Sequence, residues 1–333
     1  MESSRLNFFK EAYLLIQTSK NILIIGHVNP DSDAISSVAS LVELSLLWNK
    51  NFTAFCLNKP QYAFSFLPHE EKILSQTNFK IKDFDLLVVV DCGSISRTGL
   101  ANEIRQAKEE GWTGKIIEFD HHPKVDDYSN VEIRNPEASA TTEVIYDFLE
   151  ANKVFINKKL ATLLLAGILT DTANFLYSSA RDKTILIASE LLQRGAQFPK
   201  IMEKIMNKKS FSTVKIWGKV LNNLYINKKY NLAVAVLNFD DLKDYIDDKS
   251  FEDEAFGEIA GFLSNLSDIK TILFLREPEP GYIKGSLRAT AYNQNIDLSK
   301  LAMIFGGGGH KKAAGFSLSG KLIKVNKNKW LIE

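Results

Sequence analysis

The sequence predicts an α/β protein whose first half builds a parallel sheet and whose second half builds a smaller α/β domain. Three observations predict it. Apolar runs of strand length alternate with stretches of helix length through the first 190 residues, the trace of a sheet covered by helices. Polar residues stand directly after three of those runs, and the alternation restarts after a mostly helical, lysine-rich interval. At 333 residues the chain is long enough for two cores.

The elements follow in order. Asn21 to Gly26 (NILIIG) reads as a buried strand, Asp33 to Trp48 as a helix, Asn51 to Leu57 as a second strand, Asp85 to Val90 as a third and Lys115 to Phe119 as a fourth. Thr141 to Glu150 and Asn157 to Thr170 read as helices. The second of these contains LATLLLAGIL, apolar on almost every side, and therefore belongs to the core. Between Leu191 and Leu224 the pattern is helical and basic, with Lys200, Lys204, Lys208, Lys209, Lys215 and Lys219 reading as the solvated face of a connector. Beyond it come Tyr230 to Leu237, an acidic helical stretch from Phe239 to Ile259, Lys270 to Arg276 and Tyr282 to Ala289. The expected division is a first domain over 1–190, a helical linker over 191–224 and a second domain over 225–333.

Composition narrows the function classes. Hydrophobic residues make up 45% and charged residues 24%, which excludes disordered and coiled-coil chains. Lys and Arg total 41 against 40 acidic residues, so no global field draws the chain onto a duplex or an anionic membrane, and any nucleic-acid contact is local. Cys56 and Cys92 are the only cysteines, which excludes a disulfide framework or a cysteine-rich zinc site and fits a reducing cytoplasm. No apolar run approaches the ~18 residues of a membrane span, and the N-terminus lacks a signal-peptide core.

Four of the five histidines lie in clusters with acidic or glycine neighbours; His69, in LPHEE, reads as an ordinary surface histidine. His27, Asp31 and Asp33 follow the strand NILII, Asp91 follows LLVVV, and Asp120, His121 and His122 follow KIIEF. In an open parallel sheet the ligand crevice lies outside the carboxyl ends of the strands, so these segments should converge. A single Asp at a strand end serves as readily as a helix cap or turn former; three coinciding clusters point to a site. Imidazoles and carboxylates without thiolates suit Mn²⁺, Mg²⁺, Fe²⁺ or Zn²⁺, and carboxylates crowded in one pocket need cations to neutralise them. Asp31 and Asp33 can serve adjacent ions, and Asp91 is the natural bridging carboxylate of a pair about 3.5–4 Å apart that activates water and clamps a phosphoryl oxygen. Asp171 ends the apolar helix, where a buried acid needs a partner, and so joins the candidate ligands. The chain has neither a Gly-x-Ser-x-Gly elbow nor a P-loop.

In the second half, Gly306 to Gly309 precede His310, Lys311 and Lys312. Glycines expose backbone N–H groups suited to an anion, so Gly307, Gly308, Gly309, His310 and Lys311 form a candidate phosphate contact, with Arg288 as a bidentate partner.

Together these motifs resemble the DHH phosphoesterase superfamily. His27-Val28-Asn29-Pro30-Asp31-Ser32-Asp33 is similar to its first motif, Asp91 to its second, Asp120-His121-His122 to its eponymous third and Gly167 to Asp171 to its fourth, all in order over most of the chain. The resemblance implies one metal held by His27, Asp31 and Asp91 and a second by Asp33, Asp91, His121 and Asp171. The usual metal is Mn²⁺ as two ions, with Mg²⁺, Co²⁺ or Fe²⁺ as substitutes. It further implies that His122 faces the scissile phosphate while Asp120 orients a neighbour, so that His122, Asp120 and Asp91 form the catalytic set. The glycine-rich His motif resembles the DHH-associated domain of the nanoRNase/pAp-phosphatase branch. That branch implies a cytoplasmic phosphodiesterase, 3′-5′ exoribonuclease and phosphatase acting on short RNA or DNA oligonucleotides, linear dinucleotides such as pApA and pGpG, or 3′-phosphoadenosine 5′-phosphate through a metal-bridged hydroxide. It also implies a homodimer and a mobile second domain. Alternatives are a family II-type inorganic pyrophosphatase, a cyclic-dinucleotide phosphodiesterase and, as a non-enzyme, a nucleotide-binding sensor. Thr172-Ala173-Asn174-Phe175 departs from relatives that place glycine or arginine there, which leaves substrate preference open.

Overall fold

The computed structural model describes residues 2–60, 64–177, 179–206, 211–243, 253–290, 296–326 and 329–333. The chain divides into two compact units, Met1–Lys208 and Lys209–Glu333.

In the first unit the elements run α1 (Glu2–Thr18), β1 (Asn21–Ile25), α2 (Ser32–Leu47), β2 (Asn51–Phe55), β3 (Ile73–Leu74), β4 (Leu86–Val90), α3 (Ala101–Glu109), β5 (Lys115–Asp120), β6 (Val131–Arg134), α4 (Thr141–Ala151), α5 (Lys158–Asp171), α6 (Asp182–Gln193) and α7 (Phe198–Ile201). The sheet order is β3-β2-β1-β4-β5-β6, with every pairing parallel. Parallel sheets are covered on both faces, so their strands are continuous apolar runs rather than alternations; all five residues of β4 (LLVVV) are buried. The two faces separate with period two. Ile22, Ile24, Leu86, Val88 and Val90 join the core under α2, α4 and α5, while Leu23, Ile25, Leu87 and Val89 join the core under α3. Ten consecutive residues of α5, Leu160 to Leu169, are buried, each leucine among them contributing about 1.5–3 kcal/mol.

Gly167 lets α5 come that close. A Cβ there would stand 2.4 Å from both Asp33 Oδ1 and Thr142 Oγ1, so the absence of a side chain sets the junction of α2, α4 and α5. His69 departs from the surface position expected of it: it is 7% exposed and its Nε2 pairs with Glu43 of α2. Glu43 also accepts from Asn157 Nδ2 at 2.7 Å, and Asn157 caps α5 through the Leu160 N–H at 3.0 Å. An apolar helix face carrying one glutamate drew the histidine inward, which periodicity around LPHEE does not signal.

The second unit contains α8 (Phe211–Asn222), β7 (Tyr225–Asn227), β8 (Leu232–Leu237), α9 (Phe239–Leu242), α10 (Asp253–Leu263), β9 (Thr271–Glu279), β10 (Tyr282–Ala289), α11 (Leu298–Ile304), β11 (Gly308–His310), β12 (Ala313–Ser319), β13 (Leu322–Asn326) and β14 (Lys329–Ile332). Its main sheet, β11-β12-β10-β9-β8-β7, is antiparallel except for β8 beside β9. Ile216 and Val220 of α8 and Ile259 and Leu263 of α10 cover one face; Leu298 and Ala302 of α11 cover the other. Within the interval 191–224, Leu191 and Ile201 lie in the core of the first unit and Ile216 and Val220 in that of the second. Residues 207–210 of that interval and 244–252 of the acidic stretch lie outside the described residues.

Candidate active site

The sheet order places β1 next to β4, the point where successive connections leave in opposite directions and where a crevice opens beyond the strand ends. His27 lies two residues past β1 and Asp91 directly past β4. His27 Nε2 stands 3.7 Å from Asp91 Oδ2 and 3.7 Å from Asp31 Oδ2. Asp31 is also the N-cap of α2, its Oδ1 accepting from the Ala34 N–H at 3.0 Å; the capping role and the cluster role coexist because the two oxygens face different ways. Asp33 follows in the first turn of α2 and is fully buried.

The third strand end brings Asp120, His121 and His122. His121 Nε2 lies 3.6 Å from Asp91 Oδ1 and 3.3 Å from Asp171 Oδ2 at the end of α5. Asp91 therefore turns one oxygen to His27 and the other to His121. Its backbone has φ of 57°, and Gly93 beyond it has φ of 69°, a left-handed turn that Asp tolerates better than most residues. Ala173, Asn174 and Phe175, after Asp171, also have positive φ, so two of the chain segments around the cluster carry backbone strain of the kind found at functional sites.

Asp120 is fully buried and faces inward from the cluster. It accepts from the Gly93 N–H, from the His122 N–H at 2.7 Å and from His122 Nδ1 at 2.9 Å. Arg134 at the end of β6 donates to the His122 carbonyl and pairs with Glu118. Asp33 is held by α4: its Oδ2 accepts from the Thr141 N–H at 2.6 Å, and its Oδ1 accepts from the Thr142 N–H at 3.1 Å and hydroxyl at 2.7 Å. Thr141 Oγ1 donates to Asp91 Oδ1 at 2.7 Å. The opening N–H groups of a helix have no partner within it and favour an anion, which accounts for this carboxylate at the start of α4. Thr141, Thr142 and Arg134 were not among the residues singled out from sequence. The threonines read only as a helix start, and β6 is too short to stand out.

The electrostatics are those of buried carboxylates crowded together. Burial, with the charges of Asp33, Asp31, Asp171 and Asp120, pushes the Asp91 carboxyl well above the usual range. Burial and the charges of Asp33 and Asp31 do the same to Asp171. Burial and Asp31 raise Asp33 to about 6 against its bonds from Thr141 and Thr142. Asp31, whose side chain is 57% exposed, goes the other way: crowding opposes its charge, but the hydrogen bond and charge of His27 bring it down to about 2. Carboxylates pressed together in this way are kept ionised only by positive charge among them.

The donors fit such a charge. Three groups, His27 with Asp31 and Asp91, Asp33 with His121 and Asp171, and Asp91 with His121 and His122, have ligand atoms within 4.8 Å of one another. Imidazole and carboxylate donors at that spacing suit hard or borderline divalent ions. Cys92, adjacent to Asp91, is fully buried, and burial with the neighbouring acids holds its thiol protonated.

The remaining sequence candidates gather in the second unit. Register pairs Arg288 of β10 with Ala313 of β12, and Ala313 with His310 of β11. Arg288 and His310 therefore share one face of the sheet two strands apart, about 9.5 Å by strand spacing, and Lys311 is exposed in the turn beside them. The glycine run has a packing reason of its own. A Cβ at Gly307 would lie 2.1 Å from the Gly315 carbonyl and one at Gly309 2.7 Å from that of Ala313, whereas Gly308 meets nothing. On the opposite face of the sheet an apolar cleft of about 430 Å³ is lined by Leu273, Leu275, Leu287, Phe305 and Phe316.

Comparison with known proteins finds two family matches along the chain. The DHH family, N-terminal domain, matches residues 21–168, and the DHHA1 domain matches residues 229–329. The chain is 28% identical over 314 residues to a Streptococcus mutans protein named probable bifunctional oligoribonuclease and PAP phosphatase NrnA, covering 92% of each chain. It is 27% identical over 300 residues to the bifunctional oligoribonuclease and PAP phosphatase NrnA of Thermus thermophilus, covering 90% of this chain and 84% of that one. The crystal structure of an exopolyphosphatase-related protein from Bacteroides fragilis superposes with a TM-score of 0.82 at 25% identity, covering 93% of this chain and 90% of that one.

Proposed function

The chain is a two-domain member of the DHH family, and from that membership and the geometry of Asp91 we propose that it is a two-metal phosphoesterase. Its proposed substrates are short oligoribonucleotides, linear dinucleotides and 3′-phosphoadenosine 5′-phosphate. The observation that carries the reading is the division of one buried carboxylate between two clusters, Asp91 Oδ2 toward His27 and Oδ1 toward His121. The names of the Streptococcus mutans and Thermus thermophilus relatives support the substrate class.

His27, Asp31 and Asp91 would hold one divalent cation, and Asp33, Asp91, His121 and Asp171 the other, with Mn²⁺ the proposed metal. Two such ions supply activation of the attacking water and neutralisation of the charge on the phosphoryl oxygens. The chain's own residues do the rest. Thr141 and Thr142 hold Asp33 and Asp91 in place before substrate arrives, so these two carboxylates need not reorient during the reaction. Asp120 holds His122 Nδ1, which fixes the ring beside the cluster for contact with the scissile phosphate. Arg288, Gly307, Gly308, Gly309, His310 and Lys311 bind the nucleotide or terminal phosphate, Arg288 and His310 being presented on one sheet face.

The test is an assay of the full chain with Mn²⁺, offering 3′-phosphoadenosine 5′-phosphate, di- to pentaribonucleotides, linear and cyclic dinucleotides and pyrophosphate side by side. AMP from the first or mononucleotides from the oligomers is the expected result. Turnover of pyrophosphate alone would overturn the reading.

A further inference from the structure

We propose that Arg97 is a substrate-phosphate contact supplied by the first unit. The inference rests on the phosphoesterase reading and adds a binding residue to it. Five carboxylates, Asp31, Asp33, Asp91, Asp120 and Asp171, surround the cluster, and two divalent cations do not outweigh them. A phosphate entering such a site needs a further fixed positive charge. Most nearby cationic side chains are already engaged. Arg134 pairs with Glu118 and Glu132, Lys124 with Asp127 and Glu132, and Arg181 with Glu137. Arg97 is half-buried, and among the described residues no hydrogen bond or ion pair engages its guanidinium.

Its backbone is anchored and its guanidinium lies close to the cluster. The Arg97 carbonyl accepts from the Val28 N–H at 2.8 Å, which ties its backbone to the turn carrying His27 and Asp31. The side chain then runs back over Gly93. A Cβ at Gly93 would lie 3.5 Å from Arg97 Nη1 and 3.5 Å from His122 Cβ, so the missing side chain leaves the guanidinium and His122 flanking the same spot, two residues beyond Asp91. The left-handed backbone at Gly93, whose N–H donates to Asp120, holds that spot open. A guanidinium presents a planar fork of donors that matches phosphate, and its charge is independent of pH in the working range. An arginine lying against backbone beside a histidine, with no carboxylate partner among the described residues, is placed to grip an oxygen of the phosphate group.

Arg97→Gln and Arg97→Lys in the full chain test it, with inorganic phosphate as the probe. Calorimetry of the Mn²⁺-loaded protein reads phosphate binding, and Mn²⁺ binding and thermal melting are followed alongside. The expected result for Arg97→Gln is phosphate binding weakened at least about tenfold and kcat/KM lowered by about 10²-fold, with Arg97→Lys between it and wild type and Mn²⁺ binding unchanged. Wild-type phosphate binding and turnover in Arg97→Gln overturn the proposal. So does loss of Mn²⁺ binding in both variants, which would make Arg97 a support of the metal loop. The two readings fail separately. A wild-type protein that hydrolyses none of the phosphoesters yet binds phosphate through Arg97 sinks the proposed function and leaves this contact standing. Normal hydrolysis by Arg97→Gln does the reverse.

Discussion

The two units solve the placement of polar residues in opposite ways. In the first, the central strand β4 is apolar from end to end, and the candidate side chains stand at strand termini or helix ends: His27 after β1, Asp91 after β4, His121 and His122 after β5, Asp171 at the end of α5. In the second, Arg288 in β10 and His310 in β11 sit within the sheet, half-buried on one face by period-two alternation while Leu287 turns to the apolar cleft on the other. A parallel sheet buried on both sides keeps a charge within a strand only when it is paired, as Glu118 of β5 is with Arg134 of β6, so its other polar groups gather at the strand ends. A mostly antiparallel sheet can spare part of a face. The first arrangement gathers many candidate ligands into a small volume; the second spreads a few candidate contacts over a longer span.

The comparison is broken most directly by removing one residue from each unit. Asp91→Ala deletes the carboxylate shared by both clusters, and hydrolysis should fall by at least about 10³-fold with the fold retained. Arg288→Ala removes one charge-assisted contact, so the expected effect is a rise in KM of about 10–100-fold with kcat little altered. Steady-state kinetics on a single oligonucleotide, with circular dichroism to confirm folding, read both. Equal losses in kcat would mean that the sheet-face residues take part in the chemical step.

A subtler change sharpens the same contrast. Gly167→Ala adds one methyl group whose position lies 2.4 Å from Asp33 Oδ1 and Thr142 Oγ1. In a helix interior the exchange gains about 1 kcal/mol of propensity, but overpacking at the junction costs about 1–3 kcal/mol, and Asp33 must move. The variant should lose most of its activity and some Mn²⁺ affinity while its melting temperature changes little or falls slightly. A chemical-denaturation curve combined with Mn²⁺ titration separates the two effects. Intact Mn²⁺ binding would show that α5 can withdraw without disturbing the cluster.

The smallest expected effect concerns the buried pair Glu43 and His69. Burial works against the Glu43 charge, but hydrogen bonds from Asn157 and His69 and the charge of Lys159 outweigh it and hold its carboxyl below its ordinary 4.5. A carboxyl depressed on folding stabilises the native state above its unfolded value and loses that contribution as pH falls below it. The stability advantage of wild type over Glu43→Gln should therefore be full at neutral pH and shrink below about pH 4.5, as measured by urea unfolding at a series of pH values. An advantage that does not change with pH would assign the pair a packing role only.

Much of the site was legible because its residues obey local rules. An acid directly after LLVVV or a histidine directly after a buried strand is visible in one dimension, since strand ends are marked by the change from apolar to polar. Seven of the eight acidic and histidine candidates of the first unit, His27, Asp31, Asp33, Asp91, His121, His122 and Asp171, fall within the three spatial groups. Asp120 lies behind them on His122. Thr141 and Thr142, in contrast, meet Asp33 across more than a hundred residues of chain. Their role depends on where the N-terminus of α4 lands, which periodicity does not report. The same holds for Arg134 in a four-residue strand and for His69, whose burial follows from a glutamate 26 positions earlier.

The sequence by itself determined the α/β class and which strand-end histidines and acids were candidates for one crevice, because burial of apolar runs and the change to polar residues at strand ends are local consequences of hydrophobicity. The tertiary structure alone decided which oxygen of Asp91 faces which histidine, that α4 clamps Asp33, that Gly167 must lack a side chain and that Arg97 lies over Gly93. These are matters of distance between segments far apart in the chain, and they are set by how helices pack on the sheet rather than by any pattern within a segment.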